Sequence, residues 1–190
     1  MNRKNLSRKL ALAAMLTAVA AVLNALERFF PLQAVVPLPG VKLGLANIVT
    51  LFALFFLDLR TTAAVVAARC VLGALMGGGP TGFFFSITGS LLALGTMALF
   101  RNGYGRVFSV YGISMAGAAA HNIGQILCAV VVLGDPAVAA YLPILLFSGL
   151  ATGTLTAAAA VPLLRRIAAA GILGGNAYYE QGAKDKAKSP

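Results

Sequence analysis

The chain has 190 residues, 59% hydrophobic and 11% charged, with a formal net charge of +10 and a mean hydropathy of +0.88. A soluble domain is about one quarter charged, so this chain has too few polar side chains to coat a hydrated globule. Nucleic-acid binding is excluded by distribution: no RNA- or DNA-reading motif is present, and the basic residues cluster outside the apolar runs instead of alternating with aromatics.

Bilayer is the solvent that fits. The expectation is an all-α integral membrane protein, a bundle of six transmembrane helices in one domain over residues 1–170. The first helix covers about 10–30, after which Pro31, Pro37, Pro39 and Gly40 forbid regular helix and form a loop. The second covers about 41–57, with Asp58 and Arg60 at its polar exit, and a short third runs over 61–76. Gly77, Gly78, Gly79, Pro80 and Gly82 form a turn, and the fourth span follows over 83–100, closed by Arg101, Asn102 and Gly103. The fifth extends over 107–133 to Gly134, Asp135 and Pro136, and the sixth over 137–164. Residues 171–190 turn polar and read as a disordered tail. An A-x-A at Ala18 to Ala20 resembles a signal-peptidase site, but the apolar pattern continues to Phe30 and further spans follow, so cleavage is not expected.

Charge sets the orientation. With the N-terminus inside, the cytoplasmic segments hold Arg3, Lys4, Arg8, Lys9, Arg60, Arg101, Arg106, Arg165, Arg166, Lys184, Lys186 and Lys188, and the outer ones hold Arg28 and Lys42. That asymmetry predicts both termini on the cytoplasmic side of the cell membrane.

Arg69 is the most informative residue, because an arginine in the middle of a span costs about 2.5–3.5 kcal/mol on insertion scales. Acids are scarce, and no carboxylate is expected at its depth. It is either a structural residue, bonded to helix carbonyls or reaching Glu27, or a guanidinium receiving an anionic or strongly polar ligand. A second cluster, His121, Asn122 and Gln125, lies on the fifth helix, with Gly117 and Gly124 expected to leave room beside it. The third cluster joins Asn24, Glu27 and Arg28 to Lys42 and Asn47, with snorkelling as the plain account of Arg28 and Lys42. Five positions apart, Lys42 and Asn47 would lie on different faces of a regular helix. The candidate substrate contacts are Glu27, Lys42, Asn47, Arg69, His121, Asn122 and Gln125, in the outer half of the membrane beneath the proline-rich loop.

Small residues recur on the first helix, in a row of Ala13, Thr17 and Ala21 with Ala14 and Ala18 alongside, and Gly149 and Gly153 form a GxxxG on the sixth. Such stripes permit close packing, within the bundle or against another membrane subunit. Cys70 and Cys128 stand in apolar runs without metal spacing, His121 is the only histidine, and there is no phosphate loop or catalytic arrangement. No metal, no cofactor and no autonomous enzyme are expected.

The run Pro39-Gly40-Val41-Lys42-Leu43-Gly44-Leu45-Ala46-Asn47-Ile48, together with Gly79-Pro80-Thr81-Gly82-Phe83-Phe84-Phe85-Ser86 and His121-Asn122-Ile123-Gly124-Gln125, resembles the Gx transporter family, also called heptaprenyl diphosphate synthase component I. That family is similar in size and helix count to the substrate-binding S components of energy-coupling factor (ECF) transporters. The resemblance implies an S-component-like capture subunit for a small vitamin-like or precursor molecule, working with a membrane coupling protein and two ATPases. It further implies docking through Ala14 and Ala18, or through the row of Ala13, Thr17 and Ala21, and a lid at residues 31–40. The synthase name implies a rival role, a non-catalytic partner in prenyl diphosphate and quinone synthesis, since Asp58, Asp135 and Asp185 are isolated and form no diphosphate-binding motif. A membrane scaffold is the third alternative.

Overall fold

The computed structural model describes residues 3–27, 29 and 41–170. Arg28, the proline-rich loop and the polar tail lie outside the described residues. Among those described, all regular structure is helical: α1 (Arg3–Glu27), α2 (Asn47–Phe56), α3 (Leu59–Gly73), α4 (Gly79–Arg101), α5 (Val110–Leu133) and α6 (Leu142–Ala169), with a π turn at Ala74–Gly78 and a 3-10 turn at Pro136–Tyr141.

Four stretches are long and apolar enough to cross a membrane: Leu6–Glu27, Leu59–Arg101, Val110–Leu133 and Pro136–Ala169. This is the pattern of a multi-pass membrane protein. Side-chain distribution agrees, because large apolar residues such as Val131, Leu75 and Phe147 are more than three-quarters exposed while Asn47, Thr50, Arg69, Ser90 and Gln125 are buried. A soluble fold would reverse that placement.

The stretch Leu59–Arg101 is two helices. Met76 and Gly77 leave helical geometry, and Gly77 and Gly79 have φ of +104° and +62°, values that glycine adopts without steric penalty. In a continuous helix Arg69 and Ser90 would stand about 30 Å apart. Their side chains instead meet at 3.0 Å, so α3 and α4 fold back on each other as the glycine-rich turn predicts. Helix resumes at Gly79, with Pro80 in its first turn, four residues earlier than expected.

Helix α2 is the largest departure from expectation. It begins at Asn47 instead of residue 41, and residues 41–44 carry no regular structure. Ten helical residues span about 15 Å, half the ~30 Å hydrocarbon core. Its Val, Leu and Phe side chains are buried almost all round, and it packs against all five other helices. It is the centre of the fold. At its C-terminal end the Arg101 guanidinium, from the last turn of α4, donates to the Leu54 carbonyl, which satisfies an acceptor near a helix end. Asp58 then caps α3, accepting from Thr61 N at 3.2 Å and Thr61 Oγ1 at 2.9 Å.

Glycines close the α4–α5–α6 layer. A Cβ on Gly124 would stand 2.8 Å from Gly89 Cα, and one on Gly153 would stand 2.8 Å from Met115 Cα. The GxxxG of Gly149 and Gly153 therefore packs inside this bundle, against α5. Gly117 and Gly124 do not leave room beside the polar cluster as expected; Met97 fills the first position and the α4 backbone the second.

The small-residue stripe of α1 divides. Ala14 and Ala18 are exposed, Ala13 and Thr17 are half-buried, and Ala21 is buried. Ala13 packs on the core and Thr17 Oγ1 donates back to Ala13 O at 2.8 Å. The row of Ala13, Thr17 and Ala21 thus turns toward its own bundle, which corrects its candidacy as a docking row and leaves Ala14 and Ala18 on the outward face.

Candidate functional site

Non-helical backbone inside a membrane protein must find its hydrogen bonds in side chains or water. Residues 41–45 do so, and the groups they recruit define the site. Lys42 N donates to Gln125 Oε1 at 3.2 Å, Leu45 N donates to a Glu27 carboxylate oxygen, and Leu43 O accepts from Thr152 Oγ1 at 3.4 Å. Gly44, at φ +82°, makes the turn into α2, and Asn47 N closes it on Gly44 O at 2.9 Å. Glu27 thereby sits at the N-terminus of α2, where backbone N–H groups favour a negative charge.

The break also decides which side chains meet. A regular helix would separate Lys42 from Asn47. With residues 41–44 outside any helix, Lys42 Nζ reaches Ser86 Oγ at 2.9 Å, one turn along α4 from Ser90. Ser90 belongs to a second group: Arg69 Nη2 donates to Asn47 Oδ1 at 3.2 Å, Thr50 Oγ1 at 3.2 Å and Ser90 Oγ at 3.0 Å. Lys42 therefore points into the bundle instead of snorkelling outward.

Arg69 is buried and does not face lipid. Glu27 lies within electrostatic reach of both Arg69 and Lys42, the acidic neighbour that the structural reading of Arg69 names. Helix position alone puts no carboxylate at the depth of Arg69; the long side chains of arginine and glutamate close that gap.

His121 joins through Gln125. The Gln125 carbonyl oxygen is committed to Lys42 N–H, so its amide nitrogen faces His121 Nε2, at 2.8 Å. An amide nitrogen only donates. His121 Nε2 must then accept, which fixes the imidazole as the neutral tautomer with its proton on Nδ1. The ring lies between two glycines, since a Cβ on Gly44 would stand 3.0 Å from Cδ2 and one on Gly89 2.8 Å from Nδ1.

Asn122 points elsewhere. Its Nδ2 donates to the Leu145 carbonyl of α6, and its amide fills the place where Gly149 lacks a side chain. Its amide nitrogen is a helix–helix staple.

Six of the seven sequence-selected residues are at most 6% exposed: Glu27, Asn47, Arg69, His121, Asn122 and Gln125. Of the six buried side-chain polar atoms without a hydrogen-bond partner among the described residues, five are on them: Glu27 Oε2, Asn47 Nδ2, Arg69 Nε, His121 Nδ1 and Asn122 Oδ1. Folded proteins satisfy nearly all such atoms, and exceptions mark places built for something further. Sequence reasoning missed Thr50, Ser90 and Thr152, which carry hydroxyls inside apolar runs; the fourfold spacing of Ser86 and Ser90 was the available signal.

The family profile of heptaprenyl diphosphate synthase component I matches residues 16–163. The chain belongs to that family. No curated protein matches it, and no solved structure does.

Proposed function

We propose that this member of the family is the substrate-binding subunit of a solute-uptake system in the cytoplasmic membrane, taking a small polar or anionic molecule. Its single domain, residues 1–170, crosses six times with both termini inside. The short α2 and the irregular residues before it supply one crossing, and α3 and α4 supply two. The positive-inside asymmetry supports the orientation, as does the pairing of Lys9 with Asp58 and of Arg101 with Leu54 at the end of the molecule away from Lys42.

The observation that carries the reading is the set of idle buried polar atoms around the helix break. Broken helices beside buried charges are how membrane transporters assemble binding sites, since the freed backbone and the ionisable groups face inward together. Glu27, Lys42, Asn47, Arg69, His121 and Gln125 are the contacts, with Asn122 contributing through its free carbonyl oxygen. Ala14 and Ala18, on the outward face of α1, are the docking row for a coupling protein that acts with ATPases.

The test is mass spectrometry of metabolites carried by the purified protein, repeated with Arg69→Ala. A compound held by the wild type and absent from the variant supports capture. Equal yield from both removes Arg69 from the site.

The family's name favours a second reading, a non-catalytic membrane component of a prenyl diphosphate synthase. Asp58 and Asp135 are engaged separately, with Lys9 and Thr61 in one case and Ala137 N in the other, so neither belongs to a diphosphate site. A polyprenyl compound on the purified protein, or copurification of a prenyl synthase, would establish this second role.

A further inference from the structure

Arginine carries its N–H donors on three nitrogens and accepts nothing. A guanidinium buried only for packing is best served by acceptors spread over those nitrogens, because each donor left bare inside a membrane protein is costly. Arg69 is served differently. It donates to Asn47 Oδ1 and Thr50 Oγ1 of α2 at 3.2 Å each and to Ser90 Oγ of α4 at 3.0 Å, and all three bonds leave the same nitrogen, Nη2. That nitrogen has only a pair of protons, so these acceptors more than use it up. Nε, in contrast, is buried without a hydrogen-bond partner.

The crowding fixes two directions. Gripped at Nη2 from α2 and from α4, the guanidinium turns Nε toward those hydroxyls only by breaking bonds to both helices. The Asn47 amide is fixed as well. Arginine only donates, so the atom facing Nη2 is the amide oxygen, and Nδ2 is left as a donor to something else. Nδ2 too is buried without a partner. Two donors on adjoining side chains are thus held bare by bonds made elsewhere on the same groups. Asn47, Thr50, Arg69 and Ser90 are each at most 3% exposed, so bulk water does not supply the missing acceptors.

We infer that Thr50 and Ser90 are positioning residues for capture: by occupying Nη2 they hold Arg69 Nε, and with it Asn47 Nδ2, ready for acceptor oxygens of the ligand. This rests on the capture reading and deepens it. Neither hydroxyl touches the ligand; each acts through the guanidinium. The oxygens belong to a carbonyl, carboxylate or phosphoryl group, which share the acceptor chemistry, and elemental composition separates them.

The experiment purifies the full chain in mild detergent, denatures it, and measures by mass spectrometry the small molecules released per mole of protein. The probe is the compound that the wild type itself carries. Thr50→Val removes a hydroxyl at nearly constant shape, Thr50→Ser keeps it, and Ser90→Ala removes the other. Retention should fall about threefold in Thr50→Val and in Ser90→Ala, fall about tenfold in the double variant, and stay at the wild-type level in Thr50→Ser. Equal loss in Thr50→Ser and Thr50→Val assigns the effect to packing and overturns the inference. A monodisperse double variant with the wild-type load, or a compound without an acceptor oxygen, overturns it too. Each of these results leaves capture standing. A wild type that releases nothing near stoichiometry overturns capture itself. If the double variant does not fold, the comparison of Thr50→Val with Thr50→Ser alone decides.

Discussion

The main-chain N–H of Lys42 donates to the Gln125 side chain at 3.2 Å, and the same amide donates onward to His121 at 2.8 Å. One fully buried side chain thus satisfies an unwound backbone and fixes a tautomer. Gln125→Leu keeps most of the volume and removes both bonds, leaving a buried N–H and an imidazole nitrogen unpaired. The expected cost is about 1–3 kcal/mol, read as a lower midpoint in unfolding of the detergent-solubilised protein.

Gly124 and Gly95 separate close packing from helix propensity. A Cβ at Gly124 meets backbone, 2.8 Å from Gly89 Cα and 2.9 Å from Thr88 O, and backbone cannot swing aside; one at Gly95 meets nothing within 4 Å. Gly124→Ala should destabilise by about 1–3 kcal/mol, whereas Gly95→Ala should be neutral or stabilising by about 0.5–1 kcal/mol. Thermal midpoints of the two variants check this, and equal shifts would contradict the close contact of α4 with α5.

The two faces of α1 should respond oppositely to bulk. Ala21→Leu places three extra carbons into a filled interior and should cost about 1–3 kcal/mol. Ala18→Leu adds the same atoms on the outward face and should leave the midpoint within about 0.5 kcal/mol. If Ala18 meets a coupling subunit, copurification of that subunit falls in the Ala18 variant while stability does not.

At the opposite end of α1, the Lys9 ammonium beside Asp58, aided by Thr61, holds the Asp58 carboxyl down to about 2 from its ordinary 3.8. A depressed carboxyl contributes stability above its unfolded pKa and loses it as pH falls through the folded one. The contribution should be constant above about pH 4 and vanish near pH 2. Both partners are substantially exposed, which limits the pair to about 0.2–1 kcal/mol. Midpoints of wild type and Lys9→Ala, compared from about pH 2 to 6, should converge at the acid end. A gap persisting there would assign the effect to the lysine stem instead of its charge.

Much of the fold was legible because hydropathy and punctuation act locally. The glycine run at 77–79 reverses the chain between α3 and α4, and Gly134 ends α5 in left-handed geometry at φ +68°. The start of α2 was not legible in the same way. Apolar character over 41–46 is equally suited to helix and to buried irregular chain, and the partners that favour the irregular form, Gln125 and Thr152, are 83 and 109 positions away. The site inherited that difficulty. Arg69, His121 and Gln125 were identifiable as polar groups in apolar runs, but the Arg69–Glu27 proximity and the inward turn of Asn122 depend on tertiary contacts. The same holds for the glycines, whose spacing announced close contact without saying with whom.

Helix α2 is fastened unequally. Its C-terminal end hangs on a guanidinium from α4, while its other end is strung from a carboxylate and an amide that belong to the charged cluster. Should Glu27 or Gln125 be drawn into new partnerships, the anchorage is lost at that end alone, and the Arg101–Leu54 bond at the other end is untouched. Because the rod touches every other described helix, a disturbance at that end is passed to the whole bundle around it.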